Sequence, residues 1–278
     1  MEIKIKVGDK QQTSMSSLWG LATVTKVEEI QTETSSGLFV YHRYEDIGYD
    51  TQANFLEDGK VLDVRINERM NQSNEPREYA HCTAKSVDWS RYGDENVTPQ
   101  KNIVNAFVIN FDAFRREGRG LYFYSDTKGT GKTMIACAVA NEILKTHDIS
   151  VKFINVTDYI ELVKAKDDSS RERVKSIIEA GLLIFDDIGT QVENKEWITT
   201  ALFQLIDKRY TDHLPTIFTS NVKMEDLKTD SRISDRIYAV SVPVIMPEVN
   251  VRRQIADKHT KDFLKSILSE TGEKDNLS

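Results

Sequence analysis

Cysteine is almost missing from the chain: Cys82 and Cys137 are the only two among 278 residues. Neither a disulfide framework nor a cysteine-based zinc site can be assembled from them, and Cys137, set in an apolar stretch, reads as a small core residue. Long apolar runs are missing as well. None approaches the roughly 20 residues needed to cross a bilayer, and the first six residues lack the apolar centre of a secretory leader. The expectation is a cytoplasmic protein with no membrane partner. There is no excess of positive charge either, since 37 basic against 44 acidic residues leave a net charge of −7. That balance argues against a protein that coats nucleic acid non-specifically, although a local basic groove is compatible with it. Nine Lys/Arg and fourteen Asp/Glu fall within residues 1–80, so the acidity is concentrated there. Internal repeats and low-complexity tracts are also absent.

What is present is ordinarily globular: 39% hydrophobic and 29% charged residues, in a length that suits one large core and a smaller second unit. The first eighty residues show short mixed segments, such as Leu38-Phe39-Val40-Tyr41 and residues 61–66, among stretches rich in Ser, Thr, Gln and Glu. No fold can be assigned to them. Asn71-Gln72-Ser73-Asn74-Glu75-Pro76 reads as a linker or loop, because polar turn-formers and a proline interrupt both periodicities. The boundary is placed near residue 80, dividing an N-terminal region, 1–80, from a second unit, 81–278.

In the second unit the pattern becomes regular. Ile103, Val104, Phe107, Phe111 and Phe114 recur at helical spacing between Lys101 and Glu117. Short β-rich runs at 121–125, 151–155, 182–186, 216–220 and 240–245 then alternate with helical patterns at 132–146, 157–166, 171–180, 196–210 and 251–268. Five strands interleaved with helices predict an α/β fold with a five-stranded parallel sheet in a three-layer sandwich. Ligands of such sheets sit beyond the carboxyl ends of the strands.

One loop stands at such an end. Gly129-Thr130-Gly131-Lys132-Thr133 lies between the apolar run Leu121-Tyr122-Phe123-Tyr124 and a helical pattern that opens at Met134. Glycines let backbone N–H groups curl around phosphates, Lys132 reaches the β- and γ-phosphates, and the Thr133 hydroxyl ligates Mg²⁺ at a helix N-terminus. ATP with Mg²⁺ is the expected ligand, bound by Lys128, Gly129, Thr130, Gly131, Lys132, Thr133 and Met134. The GxxxxGK[ST] pattern wants glycine at position 126, where this chain has Asp126.

Leu182-Leu183-Ile184-Phe185-Asp186-Asp187 is an apolar run ending in two carboxylates, as suits a strand buried on both faces that delivers acids to the ligand edge. Asp186 is the candidate Mg²⁺ residue with Thr133, and Asp187 the candidate general base toward water. Taken alone, such a run more often ends in a solvated turn; the loop upstream reverses those odds. Thr219-Ser220-Asn221 closes the next apolar run, so Asn221 polarises the attacking water, touches the γ-phosphate, or caps the following turn. Two arginine clusters follow, Arg232 with Arg236 and Arg252 with Arg253. Guanidinium suits bidentate phosphate contact, and Arg236 and Arg252 are the candidates.

This ordered set of motifs resembles the AAA+ ATPases of the DnaC/DnaI type, loaders of the replicative helicase, with the transposition helper IstB as a close relative. The likeness runs over roughly residues 80–268. It implies an AAA+ P-loop fold in which Asn221 stands at sensor 1, Arg236 at the arginine finger that reaches a neighbouring subunit, and Arg252 at sensor 2. It further implies a homo-oligomer whose N-terminal region grips the hexameric helicase and whose ATPase unit binds single-stranded DNA. Asp187 stands where many AAA+ proteins have glutamate, which implies slow hydrolysis. With Cys82 alone nearby, a helicase-binding region at residues 1–80 would be metal-free. For DNA contact the expected residues are Lys164, Lys166, Arg171, Arg173 and Lys175, a run that a solvated helix face would also explain. The expected function is an ATP-dependent replication protein that loads the helicase. The alternatives are an IstB-like transposition helper, a metabolic kinase, and a nucleotide-binding adaptor that does not hydrolyse.

Overall fold

The computed structural model describes residues 6–11, 22–31, 36–43, 50–56, 61–63, 72–80, 82–147, 149–189, 196–227 and 229–274. Within the N-terminal region, β-branched and aromatic residues alternate with polar ones closely enough to pair. The result is an antiparallel meander of β1 (Lys10–Gln11), β2 (Ala22–Gln31), β3 (Ser36–Arg43), β4 (Asp50–Leu56) and β5 (Val61–Asp63), paired in that order. A register shift between Val24 and Lys26 marks an irregularity in β2.

The single helix expected over 101–117 is two, α1 (Thr98–Ile109) and α2 (Phe111–Arg116). Asn110 separates them, its side-chain Nδ2 donating back to the Ala106 carbonyl at 3.0 Å. β6 (Gly120–Tyr124), α3 (Lys132–Thr146), β7 (Val151–Asn155), α4 (Val156–Ala165), α5 (Asp168–Ile178) and β8 (Leu182–Asp186) follow. Then come α6 (Glu196–Thr211), β9 (Thr216–Ser220), α7 (Ser231–Val240), β10 (Ser241–Ile245) and α8 (Val251–Lys274). The expected five strands are all present within a residue of their expected bounds. They pair in parallel in the order β10-β6-β9-β8-β7.

Alternate side chains of the sheet feed two cores. Leu121, Phe123, Leu182, Ile184 and Ile217 pack under α1, α2 and α3, whereas Tyr122, Tyr124, Leu183, Phe185 and Phe218 meet α4, α6 and α7. Each fully buried Leu, Ile or Phe contributes about 1.5–3 kcal/mol, and a strand apolar on both faces holds its place in the middle of the sheet. Gly120 has its own reason: a Cβ there would lie 1.8 Å from the Thr216 carbonyl oxygen, so only glycine lets β6 approach β9.

Arg209 on α6 is 2% exposed. Its guanidinium donates to the carbonyls of Ile178 and Ala180 at 2.8 Å, of Pro215 at 2.6 Å, and to Thr216 Oγ1 at 2.8 Å. It thereby ties the end of α5 to the start of β9, and burial pulls its pKa down to about 9.

The segment read as a linker is fastened to the α/β unit. The Phe153 N–H donates to the Ser73 carbonyl at 2.7 Å, extending the β7 edge. Asn141 on α3 donates to Glu75 Oε2 at 3.1 Å and to the carbonyls of Tyr79 and Cys82. Ser73 and Glu75 are buried. We therefore draw the start of the α/β unit ahead of the expected boundary at residue 80, at about residue 72.

Candidate functional site

Beyond β6 the chain loops through residues 125–131 into α3. Gly129 and Gly131 have φ of 78° and 91°, the left-handed region that glycine alone enters freely. A Cβ on Gly129 would stand 2.8 Å from Asn250 Oδ1 and 3.0 Å from Arg252 Cβ. Asp126 is not among the residues of positive φ, so the backbone does not require the glycine that the pattern wants there. Its negative charge acts on the Tyr124 phenol, pushing that phenol's pKa up.

Lys132 opens α3 and is 6% exposed. Its ammonium donates to Ser125 Oγ and to Asn221 Oδ1, both at 2.8 Å, and more weakly to the Thr127 carbonyl at 3.3 Å and Thr130 Oγ1 at 3.4 Å. All four acceptors are neutral. Burial pulls the Lys132 pKa down, and the charges of Asp187, Glu248 and Asp186 act against that pull.

The carboxylate pair divides its roles by position. Asp186 is buried at the end of β8, where its Oδ1 accepts from Thr219 Oγ1 at 2.6 Å and from Thr133 Oγ1 at 2.8 Å. Burial raises its pKa, aided by Asp187 and opposed by the two hydroxyls. Asp187 is exposed one residue further on, at φ 58°, with its N–H donating to Thr219 Oγ1 at 3.0 Å. Asn221 follows β9 directly, and its Oδ1 accepts from the Lys132 ammonium at 2.8 Å, which places it beside the loop.

Arg252 lies in the first turn of α8, its N–H donating to the Gly129 carbonyl at 2.9 Å. The site therefore brings together Lys132, Thr133, Asp186, Asp187, Asn221 and Arg252. Arg236 is held elsewhere: on α7, its Nε donates to Asp207 Oδ1 at 2.7 Å, and its guanidinium stacks on the Phe203 ring at 4.8 Å. Arg232 shares that ring at 4.7 Å and pairs with Asp230 at 2.8 Å.

Four contributors were not picked out from the sequence. Ser125 and Thr219 adjoin motifs that were read, so the position just past a strand was their signal. Tyr92 donates its hydroxyl to the Thr130 carbonyl at 2.7 Å. Glu248 accepts from the N–H groups of Asp126 at 3.0 Å and Thr127 at 2.6 Å. Neither of the last two carries a local signal.

Lys164, Lys166, Arg171, Arg173 and Lys175 are all exposed on or beside α4 and α5. Lys166, Arg171 and Lys175, joined by Lys208, rim a cavity of about 390 Å³ with Tyr159, Leu162, Val174 and Ile178 also lining it.

The arrangement fits a triphosphate with a divalent cation. A buried ammonium among neutral dipoles calls for an anion, the first N–H groups of α3 lack intrahelical acceptors, and Asp186 beside the Thr133 hydroxyl offers hard oxygen ligands. Among the described residues, no helix is long and apolar enough to cross a membrane.

Comparison with known proteins agrees. The IstB-like ATP binding protein family matches residues 113–239. The replicative helicase loader DnaC of Escherichia coli (strain K12) is 30% identical over 122 residues, 42% of this chain and 49% of its own length. The uncharacterized protein YdaV of the same strain is 31% identical over 180 residues, 63% of this chain and 68% of its own. The crystal structure of DnaI matches 62% of this chain and 94% of its own with a TM-score of 0.53 and 26% identity. The chain spans less than half the length of the curated loaders it matches.

Proposed function

The chain belongs to the family of IstB-like ATP-binding proteins, AAA+ relatives of the DnaC/DnaI helicase loaders, and from this we propose that it loads a replicative hexameric helicase in an ATP-dependent way. The observation that carries the ATP part is the Lys132 ammonium, buried between the loop and Asn221 beside the Thr133–Asp186 pair. The loader part is supported by the likeness to DnaC and DnaI.

In this reading the reaction is phosphoryl transfer from ATP to water, a process dominated by positioning and charge neutralisation. Thr133 and Asp186 would hold Mg²⁺, which when bound offsets charge on the phosphates. Lys132 binds the β- and γ-phosphates, and Asn221, already bonded to it, registers whether the γ-phosphate is present. Asp187 accepts the proton of the attacking water from its exposed position at the sheet edge. Its side chain is one methylene shorter than glutamate, so turnover is slow and the ATP-bound state long-lived. Arg252 acts within its own subunit. Arg236 reaches the nucleotide of a neighbouring copy in a homo-oligomer, exchanging Asp207 for a phosphate as its anionic partner.

For DNA, the basic rim and the apolar and aromatic residues between α4, α5 and α6 suit a single strand, with phosphates on Lys166, Arg171 and Lys175 and a base against the apolar wall. Replacing Lys164, Lys166 and Arg171 together should weaken single-strand binding and flatten its salt dependence; an unchanged salt slope would remove DNA from this face. Residues 1–71 are assigned the grip on the helicase.

The test is loading of the hexameric helicase onto a single-stranded DNA circle, scored by unwinding of an annealed strand. Wild-type protein should stimulate unwinding with ATP, and Lys132→Ala should not. The family match favours one second reading, a transposition helper. It predicts no stimulation of any helicase, ATP-dependent coating of duplex DNA, and activation of a transposase.

A further inference from the structure

The connection from β10 to α8 follows the phosphate loop along its length. The Met246 N–H donates to the Tyr124 carbonyl at 2.7 Å, where the loop leaves β6, and the Arg252 N–H donates to the Gly129 carbonyl at 2.9 Å. Between these two ties, the Glu248 carboxylate takes the N–H of Asp126 on Oε1 at 3.0 Å and the N–H of Thr127 on Oε2 at 2.6 Å. Each carboxylate oxygen is thus matched to one backbone donor, a charge-assisted pair stronger than neutral hydrogen bonds.

Electrostatics alone would argue against an acid here. Glu248 is close enough to act on the Lys132 charge, and a carboxylate beside a triphosphate repels it. A residue with that penalty and no other role would be better neutral. The bonds give it a role. The loop's glycines leave its backbone loose, the N–H groups of Asp126 and Thr127 lie at its start, and Glu248 fixes both.

We propose that Glu248 is a positioning residue for nucleotide binding: it clamps the start of the phosphate loop in its binding shape and couples that shape to the first turn of α8. The proposal rests on the reading of this loop as the ATP site. It assigns to Glu248, which lies outside the matched family segment, a task that Gln cannot fully perform, because an amide offers one acceptor and turns its NH₂ toward the second donor. Asp cannot perform it either, because its carboxylate is one methylene short of both N–H groups.

The experiment uses the full chain and the variants Glu248→Ala, Glu248→Gln and Glu248→Asp. Amide hydrogen exchange at residues 126 and 127 is measured without nucleotide, alongside affinity for a fluorescent ATP analogue and steady-state hydrolysis. Glu248→Ala should speed exchange at both amides and weaken nucleotide affinity about tenfold or more, with kcat changed by about twofold at most. Gln and Asp should both be impaired, Gln less. The clamp is overturned if exchange is unchanged in Glu248→Ala, if Gln binds nucleotide as tightly as wild type or tighter, or if Asp restores full affinity. Should the wild type bind no ATP, the reading of the loop fails and amide exchange alone decides the clamp. The near-isosteric Gln variant keeps the test informative if Ala unfolds.

Discussion

Lys132→Met should separate stability from binding. The ammonium is 6% exposed and, among the described residues, donates to neutral acceptors, the nearest being Ser125 and Asn221 at 2.8 Å. Removing such a charge from water costs several kcal/mol, while two good charge-assisted bonds return about 1.5–3 kcal/mol each, so the two nearly cancel. Met fills a similar volume without the charge. Ser125 Oγ keeps its bonds to Thr127 and Thr130 at 2.8 Å, and Asn221 is only half-buried and can turn to water. The variant's stability should therefore stay within about 1.5 kcal/mol of wild type, a few degrees in Tm. Nucleotide at about 100 times its Kd stabilises the wild type by about 2.7 kcal/mol and should not stabilise the variant. The pH dependence has a sign as well. Burial holds the folded Lys132 pKa below its unfolded value, so the unfolded chain binds more protons and wild-type stability rises as pH climbs between the two; the variant loses that slope. Thermal melts with and without MgATP, repeated across the alkaline range, measure all three effects. A loss above about 3 kcal/mol without nucleotide would show that the ammonium holds the fold together, and a full ligand shift in the variant would show that nucleotide binds without it.

Further predictions concern the core and the chemistry. Glu75 is buried against Asn141 with its pKa pushed up to about 8, so the folded state holds a proton that the unfolded chain releases near pH 4.5. Stability should fall as pH rises from there to about 8, by on the order of 5 kcal/mol, and Glu75→Gln should flatten the decline in urea melts at pH 5 and pH 9. Arg209→Ala leaves the carbonyls of Ile178 and Ala180 without the guanidinium donor and the Pro215 carbonyl with the Leu183 N–H at 3.3 Å, and at about 1–3 kcal/mol for each unsatisfied carbonyl should cost about 3–5 kcal/mol, read from urea midpoints; a loss under about 1 kcal/mol would show that the staple is dispensable. Asp187→Asn should lower kcat about 100-fold or more while leaving ATP affinity near wild type, and normal turnover would remove Asp187 as the base.

What could be read from the sequence depended on how local each signal was. The strands β6 to β10 are legible within a residue because β6 and β8 are near-continuous apolar runs buried on both faces and the others are short β-rich runs bounded by turn-formers. α7 is not legible as a helix in the sequence, because only Ile233 and Ile237 of its ten residues are buried and the apolar stripe they make is too short to show a period. β2 carries Lys26, Glu28 and Glu29, which hide a strand until β3 is seen paired beside it. The phosphate loop and both carboxylates were legible because their chemistry is contiguous. Glu248 was not, since it meets the loop from 121 residues away. Arg209 looked like any polar residue of a helical pattern until the carbonyls around it were known, and Glu75 sat in a stretch whose composition says loop while its burial says core.

The most direct test of the loader account is ATP-dependent co-purification of the full chain with a replicative hexameric helicase, run beside Lys132→Ala and the chain lacking residues 1–71. A loader role requires a complex with the full chain, loss of ATP-dependent loading in Lys132→Ala, and loss of the complex without residues 1–71. Absence of any complex, with or without nucleotide, would contradict it and move the assignment to the transposition helper.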